Sequence, residues 1–116
     1  MEIALIVIRT ATIEKLVSFY TSLGLEFEKE QHGNGPFHYS TQVGKGVLEI
    51  YPLATGQLQA DSNLRLGFRI NNFENIIEEL KETGVNFVME PASTEDWGIM
   101  AIVTDPDGRK IELYEK

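Results

Sequence analysis

Two glutamates occupy closely similar settings in this chain, Glu49 in VLEIYP at 47–52 and Glu112 in TDPDGRKIELY at 104–114. Each follows an aliphatic residue and precedes a tyrosine by two positions, Tyr51 or Tyr114. On a strand the carboxylate and the phenol therefore share one face, while Ile50 or Leu113 takes the other. Two carboxylates brought together can ligate a divalent metal. With one pKa raised by the other's charge, they can also take up a proton as a general base. Arg65 offers a plainer outcome, a guanidinium that fills the place of a metal and neutralises the pair. His38, in the strand-like FHYS, could supply a nitrogen ligand if it faces the same way, and otherwise reads as a structural or pocket-lining histidine. His32, in the Gly-rich HGNGP, reads as solvent-facing or as a donor that orders its loop.

Arg9 and Arg69 share the parity of Arg65 and could hold an anionic ligand bidentately, although each could equally be a paired or exposed surface arginine. Tyr51 and Tyr114 are either aromatic walls of a cavity or core. Trp97, beside Gly98 after a polar loop, either closes over a ligand or packs at a strand start. No residue can be named as catalytic from these patterns. The chain has no cysteine, so thiol nucleophiles, disulfides and thiolate metal sites are excluded. A GxSxG elbow and a GxxxxGK[ST] phosphate loop are absent too.

Positioning these side chains requires a fold, and the sequence outlines one. With an offset of sixty residues, Leu5 to Arg9 falls on Arg65 to Arg69, and Gly24, Leu25 and Phe27 fall on Gly84, Val85 and Phe87; the offset then slips to sixty-three, placing Glu49 on Glu112. The run IALIVIR at 3–9 has the β-branched continuity of a strand buried on both faces. Thr12 is placed to cap a helix that carries Ile13, Leu16, Val17 and Tyr20 at helical spacing and ends at Gly24. Strands follow at about 25–31, 37–43 and 47–51, and residues 52–63 link the halves. The second half repeats the order. A strand at 64–70 puts Leu64, Leu66, Phe68 and Ile70 opposite Arg65, Gly67 and Arg69. Asn72 caps a helix with Phe73, Ile76, Ile77 and Leu80 as its apolar stripe, ended by Gly84. Strands at about 85–89 and 97–103 flank a loop, PASTED, and Asp105-Pro106-Asp107-Gly108 forms a tight turn into the last strand. The fold class expected is α+β, a single domain over 1–116 built from two βαβββ modules at about 1–52 and 63–116, with curled mixed sheets around a central cavity.

Formal charge is −8, from 18 acidic against 10 basic residues, so a nucleic-acid partner is not expected. The N-terminal apolar run falls far short of the roughly 20 residues that span a bilayer and has no signal-peptide pattern, which points to no membrane partner and a cytoplasmic location.

The βαβββ order twice over, with FYTSLGLEF at 19–27, VLEIYP at 47–52 and DPDGRKIEL at 105–113, resembles the vicinal oxygen chelate superfamily of glyoxalase I, bleomycin resistance proteins, fosfomycin-modifying enzymes and extradiol dioxygenases. The resemblance covers essentially the whole chain. It implies paired modules around a central cavity, commonly in a homodimer. Its metal-using members ligate through the first and last strand of each module. Here the last-strand positions match as Glu49 and Glu112, but the first-strand positions fall on Leu5 and Arg65, which have no lone pair to donate. The resemblance therefore implies a small-molecule binding protein of the bleomycin-resistance type, without a cofactor, whose ligand-binding residues are Glu49, Arg65, Glu112, His38, Tyr51, Trp97 and Arg9. The alternative is a glyoxalase-like lyase or a dioxygenase whose divalent metal is held by Glu49 and Glu112 with help from His38 or a partner chain. A third reading is a structural or regulatory homodimer without a ligand. Loops 31–36, 52–63 and 90–97 set the shape of any pocket and leave the ligand unnamed.

Overall fold

The computed structural model describes residues 1–116. Its elements, in chain order, are β1 (Leu5–Thr10), α1 (Ile13–Thr21), β2 (Glu28–Glu30), β3 (His38–Val43), β4 (Gly46–Pro52), β5 (Leu66–Ile70), α2 (Phe73–Glu82), β6 (Phe87–Thr94), β7 (Gly98–Thr104) and β8 (Lys110–Glu115). The βαβββ order thus occurs twice. The chain forms two compact units, Met1–Thr21 with Leu25–Asp61, and Ser22–Gly24 with Ser62–Lys116.

Each unit holds one four-stranded mixed sheet, ordered β1-β4-β3-β2 in the first and β5-β8-β7-β6 in the second. The first strand of each unit lies parallel to its last, and the remaining strand pairs are antiparallel. The repeat read from the sequence extends to strand register. Val7 stands opposite Glu49 and Arg9 opposite Tyr51, as Gly67 stands opposite Glu112 and Arg69 opposite Tyr114.

In both sheets the alternation of side chains separates a buried face from an open one. Ile8, Leu48 and Ile50 are buried in the first unit, as are Ala101, Val103, Ile111 and Leu113 in the second. Glu49, Tyr51, Glu112 and Tyr114 take the opposite, partly exposed faces, as their parity requires. In the first unit α1 packs on β1 and β4, and Tyr39 on β3 donates its hydroxyl hydrogen to Glu14 of α1 at 2.8 Å. The apolar stripe expected on α2 is buried at Phe73, Ile77 and Leu80.

The DPDG turn forms as expected and goes further. Gly108 at φ 89° donates its amide to the Asp105 carbonyl, and the Asp105 carboxylate accepts the amides of Asp107 and Arg109. Arg109 then folds back, only 1% exposed, onto Asp105 at 3.1 Å and Asp107 at 2.8 Å. Burial works against the charge on Arg109, but the hydrogen bonds and charges of the two aspartates outweigh it and raise the pKa. A buried guanidinium held by two carboxylates thus pins the turn to the last strand.

Three local expectations need correction. The continuous apolar run of β1 does not mark burial on both faces, because Leu5 and Val7 are 53% and 41% exposed on the face that carries Glu49. Asn72 stands at the N-cap of α2 but makes no side-chain cap. Its backbone lies in the left-handed region at φ 55°, which asparagine tolerates better than most residues and which turns its side chain from the usual capping geometry. The segment 91–96 is not all loop, since β6 continues to Thr94 through Pro91. Pro91 is accommodated because β6 is an edge strand whose register with β7 shifts between Met89 and Ala92.

Candidate functional site

The open face of the second sheet gathers Arg65, Glu112, Tyr114, Arg69 and Trp97. Arg65 lies just ahead of β5 and donates from Nε to Glu112 Oε2 at 2.5 Å. The Tyr114 hydroxyl donates to the other carboxylate oxygen, Oε1. Both oxygens of Glu112 are therefore engaged. Gly67 makes this packing feasible, since a Cβ there would sit 3.1 Å from Cε2 of the Tyr114 ring. The Tyr114 hydroxyl, more than any other group, holds the Glu112 carboxyl below its ordinary pKa; partial burial pulls the other way, and Arg65 adds to the lowering. The same bond raises the Tyr114 phenol, with burial acting in the same direction. A raised glutamate pKa, needed for a general base at neutral pH, is therefore not what this pairing produces at Glu112.

Aromatic and cationic groups cluster beside this carboxylate. The Trp97 ring is 6.2 Å from that of Tyr114 at an interplanar angle of 50°, and the Arg69 guanidinium lies 5.6 Å from the Tyr114 ring centre. Trp97 is 58% exposed, so it presents its ring to solvent rather than packing in the core. Its position is fixed by the β6–β7 turn, where the Trp97 amide donates to Thr94 Oγ1 and that hydroxyl donates to the Gly98 carbonyl.

The open face of the first sheet carries a different arrangement built around His38. This imidazole is 1% exposed and stacks flat on Tyr51, with ring centres 4.2 Å apart at an interplanar angle of 5°. Beyond Tyr51 lies the Arg9 guanidinium, 4.9 Å from the ring centre and hydrogen bonded to the Pro52 carbonyl. On the other side His32 lies 5.0 Å from His38. His38 Nε2 faces two carboxylates, Glu30 Oε1 and Glu49 Oε2, each 3.7 Å away.

All seven residues singled out for ligand binding lie on these two open faces, distributed as Glu49, His38, Tyr51 and Arg9 in the first unit and Arg65, Glu112 and Trp97 in the second. The two glutamates differ in their neighbours: Arg65 engages Glu112, whereas Glu49 stands beside His38. Glu30 was not anticipated, although its pairing opposite His38 across the β2–β3 hairpin could have been read from strand parity. Arg109 was missed because a polar turn gives no signal that a guanidinium folds back beneath it. The first unit also contains a cleft of about 350 Å³ between residues 26–28 and 40–42; none of the seven lines it.

The sequence matches the model of the Glyoxalase/Bleomycin resistance protein/Dioxygenase superfamily over residues 2–113. The chain belongs to this superfamily. Solved structures with the same fold include the oxidase ChaP-H2, with a TM-score of 0.78, 18% identity and coverage of 100% of this chain and 94% of that one. TnmS3, an antibiotic binding protein from Streptomyces sp. CB03234, aligns with a TM-score of 0.76, 23% identity and coverage of 99% and 95%. A glyoxalase family protein from Enterococcus faecalis has a TM-score of 0.67, 26% identity and coverage of 98% and 97%. No curated protein matches the sequence.

The metal arrangement associated with this superfamily does not fit the residues present. Leu5, on the same face as Glu49, offers no donor atom, and Arg65 places positive charge on the carboxylate that a metal would need. Those strand positions therefore do not make a metal centre. The second unit's face instead offers groups suited to stacking and ion pairing. It combines an exposed indole, a tyrosine ring, a guanidinium and a carboxylate whose charge is already balanced.

No helix is long and apolar enough to cross a membrane.

Proposed function

We propose that this chain is a small-molecule binding protein that sequesters a planar organic ligand bearing an anionic group. Trp97 and Tyr114 receive the ring system, and Arg69 receives the anion. The observation that carries this reading is the double engagement of Glu112. With one oxygen on Arg65 and the other on the Tyr114 hydroxyl, the carboxylate is neither a ready metal ligand nor a ready base, yet it fixes the tyrosine ring on which Arg69 and Trp97 converge. Stacking on exposed aromatic rings and ion pairing to a guanidinium are sources of ligand affinity that require no metal.

The likeness to an antibiotic binding protein supports the same reading. Arg9 over Tyr51 repeats the guanidinium–tyrosine pair in the first unit, so His38, Glu49, Tyr51 and Arg9 are assigned to ligand contact as well. The metal-dependent lyase or dioxygenase reading is set aside on the chemistry of Leu5 and Arg65. A homodimer, one domain per subunit, is part of the proposal. It is supported by the exposed apolar Ile3, Leu5 and Val7 and is tested by sedimentation. A cytoplasmic location agrees with the cysteine-free composition.

The test is calorimetric titration with a panel of planar aromatic carboxylates and their uncharged amides. A carboxylate that binds about tenfold more tightly than its amide, with the preference abolished in Arg69→Ala, supports the proposal. Absence of saturable binding throughout the panel, or a preference unchanged by Arg69→Ala, contradicts it.

A further inference from the structure

We propose that Glu30, His32 and His38 form a binding site for a divalent transition-metal ion of the zinc or nickel class. This site is contained in the first unit and is separate from the strand positions at which Leu5 and Arg65 stand. It goes beyond the ligand-binding reading and does not depend on it.

The hairpin between β2 and β3 assembles the donors. Glu30 ends β2 and His38 begins β3, and the two are cross-strand partners. The intervening loop is drawn tight by Gln31 Nε2 donating to the Gly35 carbonyl and by the Gly35 amide donating to the His32 carbonyl. This returns His32 to the side of His38. One ligand atom from each of Glu30, His32 and His38 falls within 4.8 Å of the others. Ligands about 2.0–2.1 Å from a tetrahedral zinc lie roughly 3.3–3.4 Å apart, so the 3.7 Å between His38 Nε2 and Glu30 Oε1 needs only a small rotation to close.

The second observation is the state of His38 itself. Its Nδ1 lies 3.3 Å from the Pro36 carbonyl. A carbonyl oxygen can only accept, so Nδ1 carries the hydrogen and donates it. This is the outer contact by which proteins fix the tautomer of a metal-ligating imidazole. In the tautomer with its hydrogen on Nδ1, the ring's lone pair is at Nε2. That nitrogen is buried, has no hydrogen-bond partner and faces the carboxylates of Glu30 and Glu49 at 3.7 Å each. A lone pair directed at two anions is unfavourable unless a positive species lies between them, and a metal ion meets that requirement. Stacking on Tyr51 already holds the ring in place. Two imidazoles with one carboxylate select zinc, nickel, cobalt or copper over magnesium or calcium, which take oxygen ligands. Glu49, as far from Nε2 as Glu30 is, lies beside this donor set.

The experiment is calorimetric titration of chelator-stripped protein with zinc and with nickel, and visible absorption of the cobalt-loaded protein, for the wild type and for His32→Asn, Glu30→Gln and Glu112→Gln. His32 is exposed and Glu30 half-buried, so their substitution leaves the fold intact, which replacement of the buried His38 need not do. The expected result is about one ion per chain, an affinity lowered at least about tenfold in His32→Asn and in Glu30→Gln, and no change in Glu112→Gln. The proposal is overturned by absence of stoichiometric binding, or by binding that both His32→Asn and Glu30→Gln leave unchanged.

Discussion

Arg65 Nε lies 2.5 Å from Glu112 Oε2 on the open face of the second sheet. A cation thus sits where the superfamily resemblance would place a metal ligand. The contact is close, but its partners are unequally covered: the arginine side chain is 47% exposed and the glutamate 22%. Solvent screening then limits what the pair contributes to folding. A double-mutant cycle of Arg65→Ala and Glu112→Ala, followed by urea unfolding, should give a coupling energy below about 1 kcal/mol. A coupling several times larger would mean that the pair is far better shielded from water than its exposure indicates.

The depressed Glu112 pKa has a defined signature in pH. The unfolded chain binds a proton at the ordinary glutamate value of 4.5, whereas the folded chain binds it at lower pH. The carboxylate's contribution is therefore fully present above 4.5 and is lost as pH falls through the folded value. Tyr114 shows the opposite sign, because its raised value makes its contribution present below 10.0 and lost as pH climbs through the folded value. Unfolding free energies of the wild type and Glu112→Gln should converge as pH falls below about 4.5. Near-ultraviolet titration should show the Tyr114 phenol ionising at lower pH in the variant. Parallel stability curves, together with an unchanged tyrosine titration, would count against the Glu112–Tyr114 bond.

Arg109 contrasts with Arg65, being 1% exposed and shared between Asp105 and Asp107. Removing one partner from a buried ion pair leaves uncompensated charge and costs about 3–5 kcal/mol. Arg109→Met should thus lower the melting temperature by on the order of 10 °C or more. Asp107→Asn, which keeps the Asp105 contact, should cost less. A neutral Arg109→Met would show that the turn holds without its guanidinium.

Much of this organisation is legible in the sequence because it rests on local and periodic signals. The repeat at offset sixty, the glycines that follow both helices and the alternation around Glu49 and Glu112 are enough to define two βαβββ modules. What escapes is tertiary. The apolar run of β1 reads as doubly buried, since hydrophobicity alone cannot show that Leu5 and Val7 take an open face. Pro91 reads as a break because nothing local reveals that its strand is an edge. Within the site, parity placed Glu49 with Tyr51 and Glu112 with Tyr114. The guanidinium of Arg65, expected to neutralise the glutamates, does pair with Glu112, but parity could not give the Nε contact itself, or show that the Gly-rich loop returns His32 to His38. Those relations depend on loop conformation, which hydrophobic periodicity does not encode.

Trp97 is the only tryptophan in the chain, and the residue is 58% exposed. Its fluorescence therefore reports on the proposed ligand face without any label. Titration with planar aromatic carboxylates, followed by this emission, asks of the molecule itself whether Trp97, Tyr114 and Arg69 receive a ligand. A saturable change, weakened about tenfold in Arg69→Ala, is the outcome expected of such a face. An emission that no compound alters saturably, or a response that Arg69→Ala leaves intact, would contradict it.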